Sequence, residues 1–140
     1  MFKKILVPLD GSRVAERILP QVGELAKIHD SEVTLLQVVL VHAPPVSDSS
    51  EPEAHAILSA EKYLKDVEQK FKNEGIKVSS IVRYGHEAGV IIDHAKRHGF
   101  DLIAMSTHGR SGLGQFVLGS VASKILHASQ VPVLLFRIQK

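Results

Sequence analysis

The sequence predicts an α/β fold, in which an open parallel β-sheet is covered by helices on both faces. Three observations predict it. Apolar runs alternate with segments of helical periodicity, each apolar run is continuous rather than alternating with polar residues, and turn-forming residues separate the two kinds of segment. Continuous apolar strands are typical of parallel sheets that are buried on both faces. The crossovers that join such strands are right-handed.

Two strands and one helix are predicted in the first part of the chain. The first strand, Ile5–Leu9, ends at a turn cluster of aspartate, glycine and serine. Residues 14–28 then carry one apolar stripe at helical spacing, and Pro20 inside this segment predicts a kink or a loosened turn. The second strand is the apolar run Val33–Val41.

The stretch His42–Glu53 is rich in proline, serine and acid, which predicts a mobile connection. A long amphipathic helix follows it and ends near Gly75. The later predicted elements are a strand at Val78–Val82, a helix of about 12 residues around Ile91–Ala95, a strand at Leu102–Met105, a helix at Val121–Leu126 and a last strand at Val133–Ile138.

A glycine-rich segment, Ser106–Ser120, joins the fourth strand to the helix that follows it. Backbone N–H groups of such a loop and of a helix N-terminus face anions, and the hydroxyls of Ser111 and Ser120 add possible donors. Ligands of open parallel sheets bind beyond the carboxyl ends of the strands, where the winding reverses. The segment therefore predicts a phosphate site.

Composition excludes several classes of protein. The chain has 140 residues, which predicts one domain spanning 1–140, and it has no cysteine for a disulfide, a thiolate metal site or a thiol nucleophile. Its 17 basic and 15 acidic residues leave a net charge of +2, and the basic residues are scattered, which argues against nucleic acid. No signal-peptide pattern or membrane-spanning run is evident, so a soluble cytoplasmic protein is expected.

The sequence resembles the universal stress protein (UspA-like) family over essentially its whole length. The resemblance rests on the segments Lys3–Ser12, Leu35–Val39, Met105–Gly112, Leu118–Ala122 and Val131–Leu135. It implies a Rossmann-like sheet of five parallel strands in the order 3-2-1-4-5, similar to that of adenine-nucleotide α-hydrolase-like proteins. The first and fourth strands would flank the ligand crevice.

Members of the family that bind ATP carry glycine, two residues, glycine, nine residues, and then Gly-Ser or Gly-Thr. Gly109, Gly119 and Ser120 match this motif, whereas Ser106 stands where the first glycine is usual. Serine adds a Cβ and a hydroxyl at a position where glycine permits close backbone approach or positive φ. That side chain either crowds the ligand or donates a hydrogen bond to it.

The resemblance implies a binding site for ATP, with Mg²⁺ or Mn²⁺ accompanying the nucleotide. The Asp10 carboxylate suits ribose hydroxyls, although aspartate in a turn is also a common helix cap. The residues that the resemblance places around the nucleotide are Pro8, Asp10 and Val38 against base and ribose, Met105 and Ser106 on the neighbouring side, and Gly109, Gly119, Ser120 and Val121 around the phosphates, with Gly119 and Val121 acting mainly through their backbone.

Other candidate sites are weaker. Residues 114–120 resemble the start of a Walker A loop but lack its lysine, and residues 109–112 do not match the nucleophile elbow of α/β-hydrolases. His94 and His98 share a helix face, as a metal pair does, without an evident third ligand. His108 either orders its loop or contacts phosphate, and Arg110 either reaches phosphate or is a solvated charge.

No pair of carboxylates and no activated nucleophile emerges near the crevice, so no catalytic residue is assigned. Slow ATP hydrolysis involving Asp10 or His108 is the weakest of three hypotheses. The first is a nucleotide-dependent homodimeric stress or signalling module, in which ATP orders residues 106–120 and changes the surface shown to an unknown protein partner. The second is a dimerisation module of the same fold, in which Ser106 closes the pocket.

The last strand carries the dimer prediction. Val133–Ile138 is apolar on both faces, and the family order places it at a sheet edge. An open apolar edge associates unless something covers it. Pairing with the same strand of a second chain would give an isologous dimer. Alternatively, the helix at residues 14–28 and the tail cover this edge within one chain.

Overall fold

The structure, a computed structural model, describes residues 1–40, 50–108 and 118–137, with side chains from residue 54 onward in the second range. Strands and helices alternate along these residues. They are β1 (Lys4–Leu9), a 3₁₀ turn (Ala15–Ile18), α1 (Leu19–His29), β2 (Glu32–Val39), α2 (Ser50–Asn73), β3 (Lys77–Tyr84), α3 (Glu87–Arg97), β4 (Leu102–Ser106), α4 (Ser120–Ala128) and β5 (Val133–Phe136).

The five strands form one parallel sheet in the order β3-β2-β1-β4-β5, which confirms the predicted fold class. In the centre of the sheet, Ile5 pairs with Val33 on one side and with Leu102 on the other. The winding reverses between β1 and β4, and this is where open α/β sheets form their ligand crevice.

Helices cover both faces of the sheet, and each face has its own core. Ile5 and Val7 point towards α1 and α2, where Ile18, Val22 and Leu64 are buried. Leu6 points the other way, towards α3 and α4, where Ile91, Ala95 and Ile125 are buried. Because successive strand residues face opposite cores, the buried part of β1 from Ile5 to Leu9 is apolar at every position, which explains its unbroken hydrophobic run.

The segment with Pro20 is divided differently from the prediction. A 3₁₀ turn ends at Ile18, and a separate helix begins at Leu19, so there is no kinked helix across residues 14–28. Pro20 then lies in the first turn of α1, where a residue without an N–H group removes no helical hydrogen bond.

Several predicted boundaries are wrong. Strand β2 ends at Val39, and Leu40 already lies outside it, so the predicted end at Val41 is too late. Helix α2 begins at Ser50, so residues 50–53 belong to it rather than to the connection, whose residues 42–49 lie outside the described part. Pro52 falls in the first helical turn, where it is tolerated. Strand β5 ends at Phe136, where its partner β4 ends at Ser106, and Ile138 lies outside the described residues.

A buried carboxylate fastens α2 to β3. The Glu68 side chain is 6% exposed, and it accepts a hydrogen bond from Ser80 Oγ at 2.6 Å. The ammonium groups of Lys72 and Lys65 lie 2.9 and 3.3 Å from its oxygens. Burial alone would raise the pKa of Glu68, but the hydrogen bonds from Ser80, Lys72 and Lys65 outweigh it and hold that pKa below its ordinary value.

Replacing Glu68 by glutamine is expected to lower the free energy of unfolding by about 1–2 kcal/mol near neutral pH, because a charged acceptor is lost. Since the folded-state pKa lies below the ordinary 4.5, this stabilisation is present above that pH and is lost as the pH falls through the folded-state pKa. Urea unfolding of the natural protein and of Glu68→Gln, from neutral pH to below the folded-state pKa, measures this difference in the free energy of unfolding. Glu61→Gln, at an exposed position of the same helix, is the control. A difference that persists unchanged in acid would contradict the account.

Candidate functional site

A cavity of about 220 Å³ lies at the carboxyl ends of β1 and β4. Eight of the nine residues that the sequence predicts around the nucleotide line it. They are Pro8, Asp10, Val38, Met105, Ser106, Gly119, Ser120 and Val121. The ninth, Gly109, lies outside the described residues, as do Arg110 and Ser111. The structure thus brings together residues from four separate segments, whereas their binding role stays a prediction.

Pro8 marks the point at which β1 and β4 separate. The pairing of β1 with β4 covers Ile5 and Leu6, whereas the pairing with β2 continues to Leu9. The Lys4 carbonyl accepts a hydrogen bond from Asp101 on the β4 side, so by strand alternation Pro8 also faces that side. A proline at this position costs the sheet no hydrogen bond, because β4 has already diverged from β1 and no partner faces the missing N–H. The gap is the mouth of the cavity.

One wall of the cavity is apolar. Leu36 and Val38 from β2, Ile91 from α3 and Met105 from β4 line it. Leu36, Ile91 and Met105 are buried in the core between the sheet and helices α3 and α4. A slot with apolar walls at the end of a sheet suits a flat ring such as a nucleobase.

Asp10 organises the first loop as well as lining the cavity. Its Oδ1 accepts hydrogen bonds from the backbone N–H of Ser12 at 2.9 Å and from the Ser12 hydroxyl at 2.5 Å. The Ser12 oxygen in turn accepts from the Ala15 N–H at 3.1 Å, at the start of the 3₁₀ turn. The turn role and the cavity position of Asp10 therefore coexist in one side chain.

The Ser106 hydroxyl is used within the protein. Ser106 is 4% exposed, and its Oγ donates a hydrogen bond to the Ala15 carbonyl at 3.1 Å. This bond ties the end of β4 to the 3₁₀ turn after β1. The serine side chain is thus accommodated beside a cavity that it also lines, whereas its effect on a ligand stays a prediction.

Backbone hydrogen bonds order the residues after β4. The Thr107 N–H donates to the Phe136 carbonyl at 3.0 Å, and the Gly119 N–H donates to the Thr107 carbonyl at 2.9 Å. The Gly119 N–H is therefore already bonded within the protein, whereas the backbone role of Gly119 towards a phosphate stays a prediction. The amides of Ser120, Val121 and Ala122, in the first turn of α4, are the groups without an acceptor inside the helix.

His108 is buried beside the cavity, and its Nδ1 lies 3.0 Å from Thr107 Oγ1. The two other predicted histidines lie elsewhere. The rings of His94 and His98 are 4.3 Å apart, but neither lines the cavity, and His94 packs on Phe100. Burial lowers the pKa of His94, and nearby positive charge lowers it further. No group of three metal-ligating side chains occurs among the described residues.

Sequence reasoning missed the contribution of α3. Glu87 and Ile91 both line the cavity, and they lie four residues apart on one helical face. The helix begins just beyond the carboxyl end of β3, so its first turn reaches the same edge of the sheet. That position and spacing were the available signal.

Among the described helices, none is long and apolar enough to cross a membrane.

Comparison with known proteins agrees with this architecture. A model of the universal stress protein family matches residues 1–137. Universal stress protein Sll1654 of Synechocystis is 38% identical over 137 residues, which is 96% of this chain and 85% of that protein. The solved structure of MJ0577, a universal stress protein of Methanocaldococcus jannaschii, has a TM-score of 0.91 and 30% identity, and the match covers 100% of this chain and 99% of that one.

A more distant universal stress protein, from Archaeoglobus fulgidus, has been solved in complex with dAMP. It has a TM-score of 0.72 and 20% identity, covers 96% of this chain and 98% of its own, and shares the fold. The family match over residues 1–137 and the similarity to the MJ0577 structure agree with the strand order. The chain belongs to the universal stress protein family.

Proposed function

We propose that this protein binds an adenine nucleotide, ATP in the first instance, in the cavity at the ends of β1 and β4. The observation that carries the proposal is that eight of the nine residues that the family resemblance places around the nucleotide line one cavity. The dAMP complex of the Archaeoglobus relative supports the choice of ligand class. In this arrangement the base lies against Val38, Ile91 and Met105, and Asp10 accepts from the ribose hydroxyls.

The phosphates would lie at the N-terminus of α4. The first-turn amides of Ser120, Val121 and Ala122 are oriented donors, and the helix dipole favours negative charge there. The Ser120 hydroxyl adds a donor at the same place. Mg²⁺ or Mn²⁺ would accompany the nucleotide and offset the charge of its phosphates.

The serine at position 106 favours binding over the alternative of a closed dimerisation module. Because its hydroxyl is bonded to Ala15, it is held by the protein rather than projecting freely across the cavity. We therefore propose that Ser106 is a tolerated replacement for glycine. Nucleotide occupancy would then shift the conformation of the loop after β4, and a protein partner would recognise that change.

Calorimetric titration of the nucleotide-free protein with ATP, with and without Mg²⁺, tests the proposal. The expected result is a micromolar Kd, which corresponds to a binding free energy on the order of −8 kcal/mol. Asp10→Asn keeps an acceptor for Ser12 but loses the charge at the ribose, and is expected to weaken binding about tenfold. Ser123→Ala, in α4 but outside the cavity lining, is the control and should bind as the natural protein does.

Ser106→Gly separates the two hypotheses. If the natural protein binds ATP and Ser106→Gly binds it similarly, serine is a tolerated replacement. If only Ser106→Gly binds, the serine closes an otherwise competent pocket and the proposal for this chain is wrong. Absence of binding in both proteins would favour the dimerisation module.

We also propose a homodimer that pairs through β5. All four residues of β5 are partly exposed, and β4 pairs with one edge of the strand. The Pro132 and Phe136 carbonyls accept from Ile103 and Thr107, so the alternate residue Leu135 directs its backbone groups to the open edge. Hydrogen-bonding groups on such an apolar edge are satisfied when a second copy pairs with it.

Light scattering of the natural protein is expected to give the mass of a dimer. Leu135→Pro removes an N–H from the open edge and none from the β4 pairing, so a folded monomer is expected. Circular dichroism establishes that the variant is folded, and Leu126→Ala, at an exposed site on α4, is the control that should stay dimeric. A monomeric natural protein, or a folded Leu135→Pro dimer, would refute pairing through β5.

A further inference from the structure

Helix α3 packs against the core through a histidine near its C-terminal end. The buried residues of this helix are Ala88, Ile91, His94 and Ala95. His94 is only 8% exposed, and its ring lies 5.7 Å from the ring of Phe100, which belongs to the core between the sheet and helices α3 and α4. Neither the motif nor the family comparison assigns His94 a role.

Positive charge faces His94 from β1, from β3 and from the end of α3 itself. Lys4 of β1 donates through its ammonium group to the His98 carbonyl, and the same ammonium lies 4.7 Å from the centre of the Phe100 ring. The His98 ring lies 4.3 Å from the His94 ring, and the charge of Arg83 reaches His94 from β3. Within the described part of the chain, none of the charged groups that act on His94 comes from β2 or α4.

The acid that acts on His94 is its neighbour Asp93, and this acid is already paired. Asp93 Oδ1 accepts a hydrogen bond from Arg97 Nε at 2.9 Å, and both side chains are exposed. A helix C-terminus also favours a nearby cation, but the Lys4 ammonium already binds the His98 carbonyl there. Neither feature therefore provides a partner that stabilises a protonated ring at the buried position of His94.

This environment holds His94 neutral. Burial lowers the pKa of His94 below its ordinary value of 6.5, and the positive charges of His98, Arg83 and Lys4 lower it further. When α3 opens, the ring regains its hydration and its ordinary pKa. The packed state of α3 is therefore fully favoured above pH 6.5, and this advantage is lost as the pH falls from 6.5 towards the folded-state pKa.

Helix α3 can open by itself because it is short. Isolated helices of fewer than about 12 residues are marginal in water, and α3 has 11, so its stability depends on its packing. Ile91, which lines the first cavity, lies one turn before His94 on the same buried face. We propose that protonation of His94 releases the C-terminal half of α3 from the sheet and so makes this helix an acid-sensitive switch. Its effect on a bound nucleotide rests on the proposed function, in which Ile91 contacts the base.

Hydrogen exchange of the nucleotide-free protein tests the switch independently of ATP. Protection factors, corrected for the intrinsic effect of pH on exchange, are compared at about pH 7.5 and about pH 5.5. An opened state that takes up one proton with a pKa of 6.5 is favoured about tenfold at the lower pH, so the amides of residues 92–97 are expected to lose about tenfold in protection. The amides of β1 should be more strongly protected than these at both pH values.

Replacing His94 by glutamine removes the proton-binding group and keeps a polar side chain of similar length. The α3 amides of His94→Gln are expected to have equal protection factors at the two pH values. His127→Gln, at an exposed histidine of α4, is the matched control and should lose α3 protection about tenfold, as the natural protein does.

Arg83→Gln tests the cause without altering the buried face of α3, because Arg83 is exposed. Removing one positive charge is expected to raise the pKa of His94, which the Cε1 proton of its ring reports by NMR in the folded protein. The loss of α3 protection between the two pH values should then be smaller than in the natural protein.

Three results would overturn the proposal. If the α3 amides are as strongly protected as those of β1 at the lower pH, the helix opens only when the whole protein unfolds. If the tenfold loss persists in His94→Gln, another group causes it. If the His94 ring of the folded protein titrates at or above pH 6.5, the physical cause is absent. Each result can occur whether or not ATP binds, so the switch and the nucleotide site are tested separately.

Discussion

The proposed site depends on the pairing of β1 with β4, because this pair sets where the sheet opens. Asp101, just before β4, accepts hydrogen bonds from the N–H groups of Lys3 and Lys4 at 2.8 and 3.0 Å. Its own N–H donates to the Lys4 carbonyl at 3.0 Å. This clamp holds the amino ends of the two strands in register. The strands therefore separate only at their carboxyl ends, where Pro8 leaves no amide to pair.

A second set of bonds holds the open end of the same strands. Ser106 binds the carbonyl of Ala15, Thr107 binds Phe136, and Gly119 binds Thr107. The end of β4 is thereby connected to the loop after β1, to β5 and to α4. These connections hold the cavity residues in place, which would reduce the ordering cost of the proposed binding. In this setting the serine at position 106 adds a connection that glycine could not make.

The parts of the fold that follow from burial were predictable, and those that follow from tertiary neighbours were not. The unbroken apolar runs predicted the strands because each strand faces two cores. Strand β5 ends at Phe136 because its partner β4 ends at Ser106. Helix α2 can include residues 50–53 because a proline is tolerated in the first turn of a helix. Sequence alone shows neither constraint.

The same distinction applies to the candidate site. The family resemblance implied Pro8, Asp10 and Gly119, and these residues do lie around one cavity. Glu87 was missed because α3 resembles any amphipathic helix until its position beside β3 is known.

At the start of α4, where the phosphates are proposed to lie, the helix has a glycine as its N-cap residue. Among the described residues, no side-chain hydrogen bond caps the first turn of this helix. A serine, threonine or aspartate N-cap would satisfy one of the first-turn amides with its own oxygen. Glycine cannot, and its own N–H is already bound to Thr107. The first-turn amides of Ser120, Val121 and Ala122 are therefore not occupied by the side chain of the N-cap residue, so a phosphate in the proposed complex would not have to displace one.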